Sequence, residues 1–191
     1  DAVAALKGMD ALADAGLGGE ALRRLAAALG SDCPLFVDAA PALMRGRGER
    51  IEPLDPKAAD RLAGQRLVLF RPAFGVDTAW AYRQLASRPE CYEARTSADQ
   101  RLLEFCRGGD PGDLLHNTFE AVVGRKFLAI PCLLEKLRGL DYRCMMSGSG
   151  SACFALIENG EEATELVELC RECWGQNTFW VETSLPERKM W

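Results

Sequence analysis

Histidine is almost missing from this 191-residue chain, which has His116 and no other. A lone imidazole with no Ser or Cys beside it in sequence is the pattern of a structural residue rather than of a nucleophile's base. A histidine-rich metal centre is ruled out by the same count. Basic residues are in deficit, 23 against 28 acidic ones, for a net charge of −5. That argues against a nucleic-acid binder, which needs a basic face. No apolar run approaches the length that spans a bilayer, and no basic segment followed by an apolar stretch opens the chain, so neither a membrane partner nor an export signal is visible. Internal repeats and low-complexity tracts are lacking too.

What is present is the composition of a globular protein, 48% hydrophobic and 27% charged. This length holds one sizeable core or two smaller ones. Eight cysteines are scattered through mostly apolar surroundings, which suggests buried free thiols in a reducing cytoplasm rather than a disulfide framework. The one CxxC, Cys170 to Cys173, falls on a helical stripe with Ala163, Leu166, Val167 and Trp174. Zinc would need two further ligands at suitable spacing, and none is evident, so core packing is the reading and no metal ligands are assigned.

The periodicities predict helices over residues 2–14 (Leu6, Met9 and Ala13 on one stripe) and 20–29 (Leu22, Leu25, Ala26 and Leu29), the second stopped by Gly30. Pro34–Val37 reads as a short strand. Ala42–Arg45 and Arg50–Pro53 read as a hairpin around Gly46-Arg-Gly-Glu. Residues 55–64 form a charged connection and the best domain boundary. Beyond it come a buried strand over 66–71, a helix from Gly75 onward capped by Asp77 or Thr78, and an irregular stretch over 88–112 with a short helix around 100–106. A helix capped by Asp113 then runs to about Val123, followed by a helix over 131–140, strands over 142–146 and 152–157, an amphipathic helix over 160–174 and a closing strand over 178–183. This order suits helices on one face of a mainly antiparallel sheet, an α+β class.

Two segments carry chemistry. Met146-Ser-Gly-Ser-Gly-Ser-Ala joins two strands through small residues whose backbone N–H groups are free to converge on phosphate oxygens. The bland alternative is a plain hairpin connection. Leu29-Gly-Ser-Asp-Cys-Pro-Leu-Phe sets one acid, Asp32, at a helix–strand junction, where it is either a proton acceptor or a turn aspartate capping local backbone.

With Arg45-Gly-Arg-Gly-Glu, Gly75-Val-Asp-Thr-Ala-Trp-Ala-Tyr and His116-Asn-Thr-Phe-Glu, these five segments stand in the order found in the GHMP kinase superfamily, which the chain resembles over nearly its whole length. Within it, the Gly-Ser-Asp-Cys-Pro and Gly-Arg-Gly-Glu segments resemble the branch that phosphorylates the 2-hydroxyl of 4-diphosphocytidyl-2-C-methyl-D-erythritol in the non-mevalonate isoprenoid pathway. Another small-molecule GHMP kinase and a non-catalytic truncated module are the alternatives. The resemblance implies residues 1–60 as the remainder of an N-terminal ATP-binding domain (ribosomal S5 domain 2-like) and 61–191 as a C-terminal ferredoxin-like domain. It sets Asp1-Ala2 on the end of the family's glycine-rich phosphate loop. The chain then corresponds to the C-terminal two-thirds of such a kinase, and the isolated chain is expected to be inactive.

The resemblance also assigns roles. Asp32 takes the proton of the attacking hydroxyl. Ser147, Gly148, Ser149 and Gly150 lie at the phosphates, and Asp1 opens a helix pointing at the nucleotide. Thr78 and Tyr82 contact substrate, with Tyr82 either stacking on the cytosine or packing like Trp80. His116 and Asn117 start a helix in a capping or packing role, and Thr118 departs from the family's Asp. ATP with Mg²⁺, a cytidine diphosphate derivative as substrate, cytoplasmic location and a monomer or weak homodimer complete the expectation.

Overall fold

The computed structural model describes residues 1–46, 48, 50–158, 160 and 162–186, in two compact units, Asp1–Asp60 and Arg61–Leu185. The first unit packs helix α1 (Ala2–Ala13) against α2 (Gly19–Leu29) and the single-turn α3 (Leu35–Asp38). Its small core is Val3, Leu22, Ala26 and Val37, with Leu6, Leu17 and Cys33 at the margin. Lys7 Nζ donates to the Val37 carbonyl at 2.6 Å, fastening α1 to α3. A two-stranded hairpin follows, β1 (Ala42–Arg45) antiparallel to β2 (Arg50–Pro53), with Arg45 opposite Arg50. Of the turn segment, Arg47 and Glu49 lie outside the described residues. Helix α4 (Pro56–Leu62) begins in the first unit and ends in the second, and is capped by Asp55, whose Oδ1 accepts from the amides of Lys57 and Ala58.

In the second unit β3 (Arg66–Arg71), β4 (Cys144–Met146), β5 (Cys153–Ile157) and β6 (Phe179–Ser184) form an antiparallel sheet in the order β4-β5-β3-β6. Strand residues alternate between faces. Val68, Phe70, Cys144, Met146, Cys153, Ala155 and Ile157 therefore point one way, and α5 (Thr78–Ala86), α7 (Glu120–Val123), α8 (Ala129–Arg138) and α9 (Thr164–Trp174) cover them. Leu133, Leu134, Leu137 and Leu166, all fully buried, fill the layer between. Burial of such side chains contributes about 1.5–3 kcal/mol each, which is why the helices dock on this face. Helix α6 (Arg95–Cys106) contributes Phe105, buried beneath the Arg61 guanidinium at 4.4 Å.

The structure corrects several expectations. Pro34–Val37 is not a strand. Phe36 N–H bonds to Cys33 O and Val37 N–H to Pro34 O, which are helical turn contacts, and Pro34 suits the start of a turn because its missing N–H would be unpaired there. Asp32 thus sits between two helices. The charged connection at 55–64 is mostly α4, made helical by the Asp55 cap. Residues 95–106 form a full helix whose polar face hid its periodicity, with a 3₁₀ turn at Pro89–Cys91 before it. Asp113 caps no long helix. Asp110 instead caps a 3₁₀ turn at Pro111–Leu114, and α7 begins only at Glu120. On α1, Met9 is 67% exposed and Val3 is the buried residue. Leu25 and Leu29 on α2 are exposed as well. All eight cysteines are free, and Cys132 and Cys173 are exposed rather than buried.

Candidate active site

The chain leaves β4 at Met146 and enters β5 at Cys153 through a closely bonded loop. Ser147 N–H donates to Ala152 O at 2.8 Å and Gly150 N–H to Ser147 O at 3.0 Å. Gly150 has φ +80°, and a Cβ there would lie 2.6 Å from Met146 Sδ, so glycine alone suits the position. Ser151 is buried, its hydroxyl donating to the Phe74 carbonyl at 2.6 Å. Among the described residues the amides of Gly148 and Ser149 have no partner. Two free N–H groups in a small-residue loop suit the binding of phosphate oxygens.

Other elements hold the loop. Thr78 and Ser149 share a hydrogen bond between hydroxyls at 2.9 Å. Thr78 is the first residue of α5, so the positive end of that helix meets the loop. Asp77, which caps α5 by accepting from Trp80 N–H, offsets part of that charge. Tyr82 follows Thr78 by one turn on the same face of α5. It is exposed and sets its ring edge-on to Phe119 at 4.9 Å. Thr78, Tyr82, Ser149 and the Asn117–Phe119 segment therefore share one region of the second unit.

Sequence reading missed most of the support. Asn117 Nδ2 donates to the carbonyls of Met146 and Gly148, at 2.7 and 2.8 Å. Glu120 Oε1 accepts from Met146 N–H at 2.8 Å, while the Glu120 carboxylate takes Arg138 Nη2 at 2.9 and 3.1 Å. His116 lies 3.6 Å from the Glu93 carboxylate. Glu93 is gripped by Arg101, and that hydrogen bonding holds its carboxyl below the usual range. The sequence signal for this scaffold was only the His-Asn-Thr-Phe-Glu segment itself.

Burial pushes the Cys144 thiol up to about 11 and the Cys153 thiol higher still. Neither is a nucleophile near the loop. A cavity of about 740 Å³ opens at the opposite end of β5, lined by Arg61, Arg143, Asp110, Asp141, Tyr142 and Glu158, and holds none of the sequence-predicted residues.

Asp32 belongs to the first unit. It is exposed in the turn between α2 and α3, and the Ser31 hydroxyl donates to its Oδ1 at 3.3 Å. The hairpin turn comes close, since a Cβ on Gly48 would lie 3.0 Å from Asp32 Oδ1. The acid and the β1–β2 turn, separate in sequence, meet here. Asp1 occupies the N-cap position of α1 without a side-chain capping bond and is exposed.

Residues 102–175 match the family model described as "GHMP kinases C terminal". The chain is 37% identical over 177 residues to the 4-diphosphocytidyl-2-C-methyl-D-erythritol kinase of Moorella thermoacetica, covering 90% of this chain and 60% of the relative. It is 37% identical over 169 residues to that of Gloeobacter violaceus, covering 85% and 54%. A crystal structure of 4-(cytidine 5'-diphospho)-2C-methyl-D-erythritol kinase superposes with a TM-score of 0.70 at 31% identity, over 96% of this chain and 63% of that one. The chain thus spans about 60% of the length of the Moorella relative. Among the described residues no helix is long and apolar enough to cross a membrane.

Proposed function

We propose that this chain belongs to the GHMP kinases, whose C-terminal family model its residues 102–175 match, and that its protein transfers the γ-phosphoryl group of ATP to the 2-hydroxyl of 4-diphosphocytidyl-2-C-methyl-D-erythritol. Residues 1–60 then belong to the ATP-binding domain and 61–191 to the C-terminal domain. The protein works in the cytoplasm as a monomer or weak homodimer. The observation that carries the reading is the Ser147–Gly150 loop, held by Asn117 and Thr78 with the Gly148 and Ser149 amides left over for a ligand.

Phosphoryl transfer needs alignment, charge neutralisation and a destination for the hydroxyl proton. Asp32 accepts that proton as the hydroxyl oxygen bonds to the γ-phosphorus and the bond to the leaving ADP oxygen breaks. An exposed carboxylate whose one hydrogen bond among the described residues is a weak one from Ser31 is free to do this. The loop amides, with the positive end of α5, bind phosphate oxygens and supply fixed donors as charge shifts during transfer. Asp1 opens α1 toward the nucleotide, and Tyr82 offers its exposed ring to the cytosine. Mg²⁺ bound with ATP would neutralise phosphate charge. Among the described residues no group of three or more His, Cys, Asp or Glu comes together.

The test is a coupled ADP-release assay on the native gene product with the cytidyl substrate, homoserine and mevalonate in parallel. Turnover with the cytidyl substrate alone is expected. Equal or faster turnover with homoserine or mevalonate overturns the assignment.

A further inference from the structure

We propose that Asn117 is a positioning residue of the phosphate site: by holding the carbonyls of Met146 and Gly148, it turns the Ser147–Gly150 loop so that its free amides face the ligand. This rests on the reading of that loop as a phosphate site. The carboxamide is fully used. Oδ1 accepts from Phe119 N–H at 2.9 Å, and Nδ2 donates its two hydrogens to Met146 O and Gly148 O. The opposite amide orientation would set an oxygen against two carbonyls and an NH₂ against an N–H, so the assignment is fixed by the network.

The consequence follows from peptide planarity. Across a trans peptide the C=O and the next N–H point in opposite directions. Drawing Met146 O toward Asn117 therefore turns Ser147 N–H away, and it is found on Ala152 O at 2.8 Å. Drawing Gly148 O toward Asn117 likewise turns Ser149 N–H away from the protein segment that carries Asn117, and that amide has no partner among the described residues. Of the groups that hold the loop from outside, Glu120 reaches only its entry at Met146 and Thr78 only the Ser149 hydroxyl. The Gly148–Ser149 peptide is oriented by Asn117. Asn117 is itself anchored, because its neighbour His116 abuts Glu93 and Glu93 is held by Arg101.

The experiment uses the native gene product, with ADP and CDP as diphosphate probes in titration calorimetry and with KM and kcat for both substrates. Asn117→Asp keeps the shape but replaces two donors with a charge facing two carbonyls. The dissociation constant of the probe whose diphosphate the loop binds is expected to rise about tenfold or more, with the matching KM. The other probe should stay within about twofold. General destabilisation would reduce yield without this split. Asn117→Ala, which removes the donors without adding charge, carries the same expectation should the Asp variant fail to fold.

Gly148→Asp serves as reference. Position 148 has open space around a Cβ and φ +54°, which Asp tolerates, so the substitution adds a negative charge where phosphate would sit. Loss of probe binding in Gly148→Asp, with unchanged binding in both Asn117 variants, overturns the role of Asn117 and leaves the loop reading intact. Unchanged binding in Gly148→Asp as well removes the phosphate site and this inference with it.

Discussion

Replacing Gly150 by alanine perturbs the loop at its tightest point. The new Cβ would stand 2.6 Å from Met146 Sδ, 3.4 Å from Met146 Cγ and 3.6 Å from Val76 Cγ2. Holding alanine at φ +80° costs about 1–2 kcal/mol. Met146 is fully buried, so its sulfur cannot swing into solvent. Overpacking of a buried site adds about 1–3 kcal/mol, with the flexible thioether placing this case toward the lower end. The sum is a loss of about 2–5 kcal/mol, measurable as a lowered midpoint in urea unfolding with an unchanged slope. A double-mutant cycle isolates the cause. Met146→Ala alone leaves a cavity and costs about 2–5 kcal/mol. Once the sulfur is gone the Cβ at 150 has room, so the double variant should be more stable than the sum of the singles implies by about 1–3 kcal/mol. Additivity within about 0.5 kcal/mol, or a Gly150→Ala loss below about 1 kcal/mol, refutes the steric argument.

Three further expectations concern the scaffold. Burial raises the Cys144 thiol to about 11, which leaves only ~0.1% of it as thiolate at pH 8, so Cys144 should alkylate with iodoacetamide much more slowly than exposed Cys132 and Cys173, by peptide mass spectrometry. Equal labelling would contradict the burial of β4. Glu120→Ala strips the acceptor from Met146 N–H and the partner from Arg138, and should cost about 2–3 kcal/mol in urea unfolding. Glu120→Gln, which keeps a neutral acceptor, should cost less, and equal losses would show that acceptor and charge are not what matters. The Arg101 hydrogen bonds hold Glu93 below its ordinary 4.5 in the folded protein, so this carboxylate adds stability above about pH 4.5 that is lost as pH falls through the lowered value. The stability gap between the wild type and Glu93→Gln should then close as the pH falls below about 4.5, and a gap that widens in acid would contradict the ion pair.

Much of the second unit was legible because its signals are local. The Arg-Leu-Val-Leu-Phe-Arg run and Cys153–Ile157 read as strands, and the stripe through Leu166, Val167 and Cys170 marks α9. The misread elements lack such a signal. Four apolar-leaning residues at Pro34–Val37 satisfy strand and helical turn alike, and only the turn bonds through Cys33 and Pro34 decide. Helix α6 is mostly polar and buries chiefly Phe105, so little periodicity shows. Asp32 and the residues around it stood out through motif and spacing, but the approach of Gly48 to its carboxylate depends on how the hairpin folds back. Asn117 was hidden for a physical reason. Its partners are backbone carbonyls 29 and 31 residues away, which any side chain at those positions would supply.

In the proposed mechanism Asp32 takes the hydroxyl proton while other residues hold the phosphates. Its most direct test is single-turnover phosphoryl transfer by Asp32→Asn in the native gene product, with ADP and CDP affinities measured on the same sample. Asp32 is exposed and, among the described residues, takes one hydrogen bond, from the Ser31 hydroxyl at 3.3 Å, so unfolding stability should change by no more than about 0.5 kcal/mol. Both affinities should stay within about twofold while the transfer rate falls by about 10²–10⁴. A transfer rate within about tenfold of the wild type, at unchanged affinities, would remove Asp32 from the reaction.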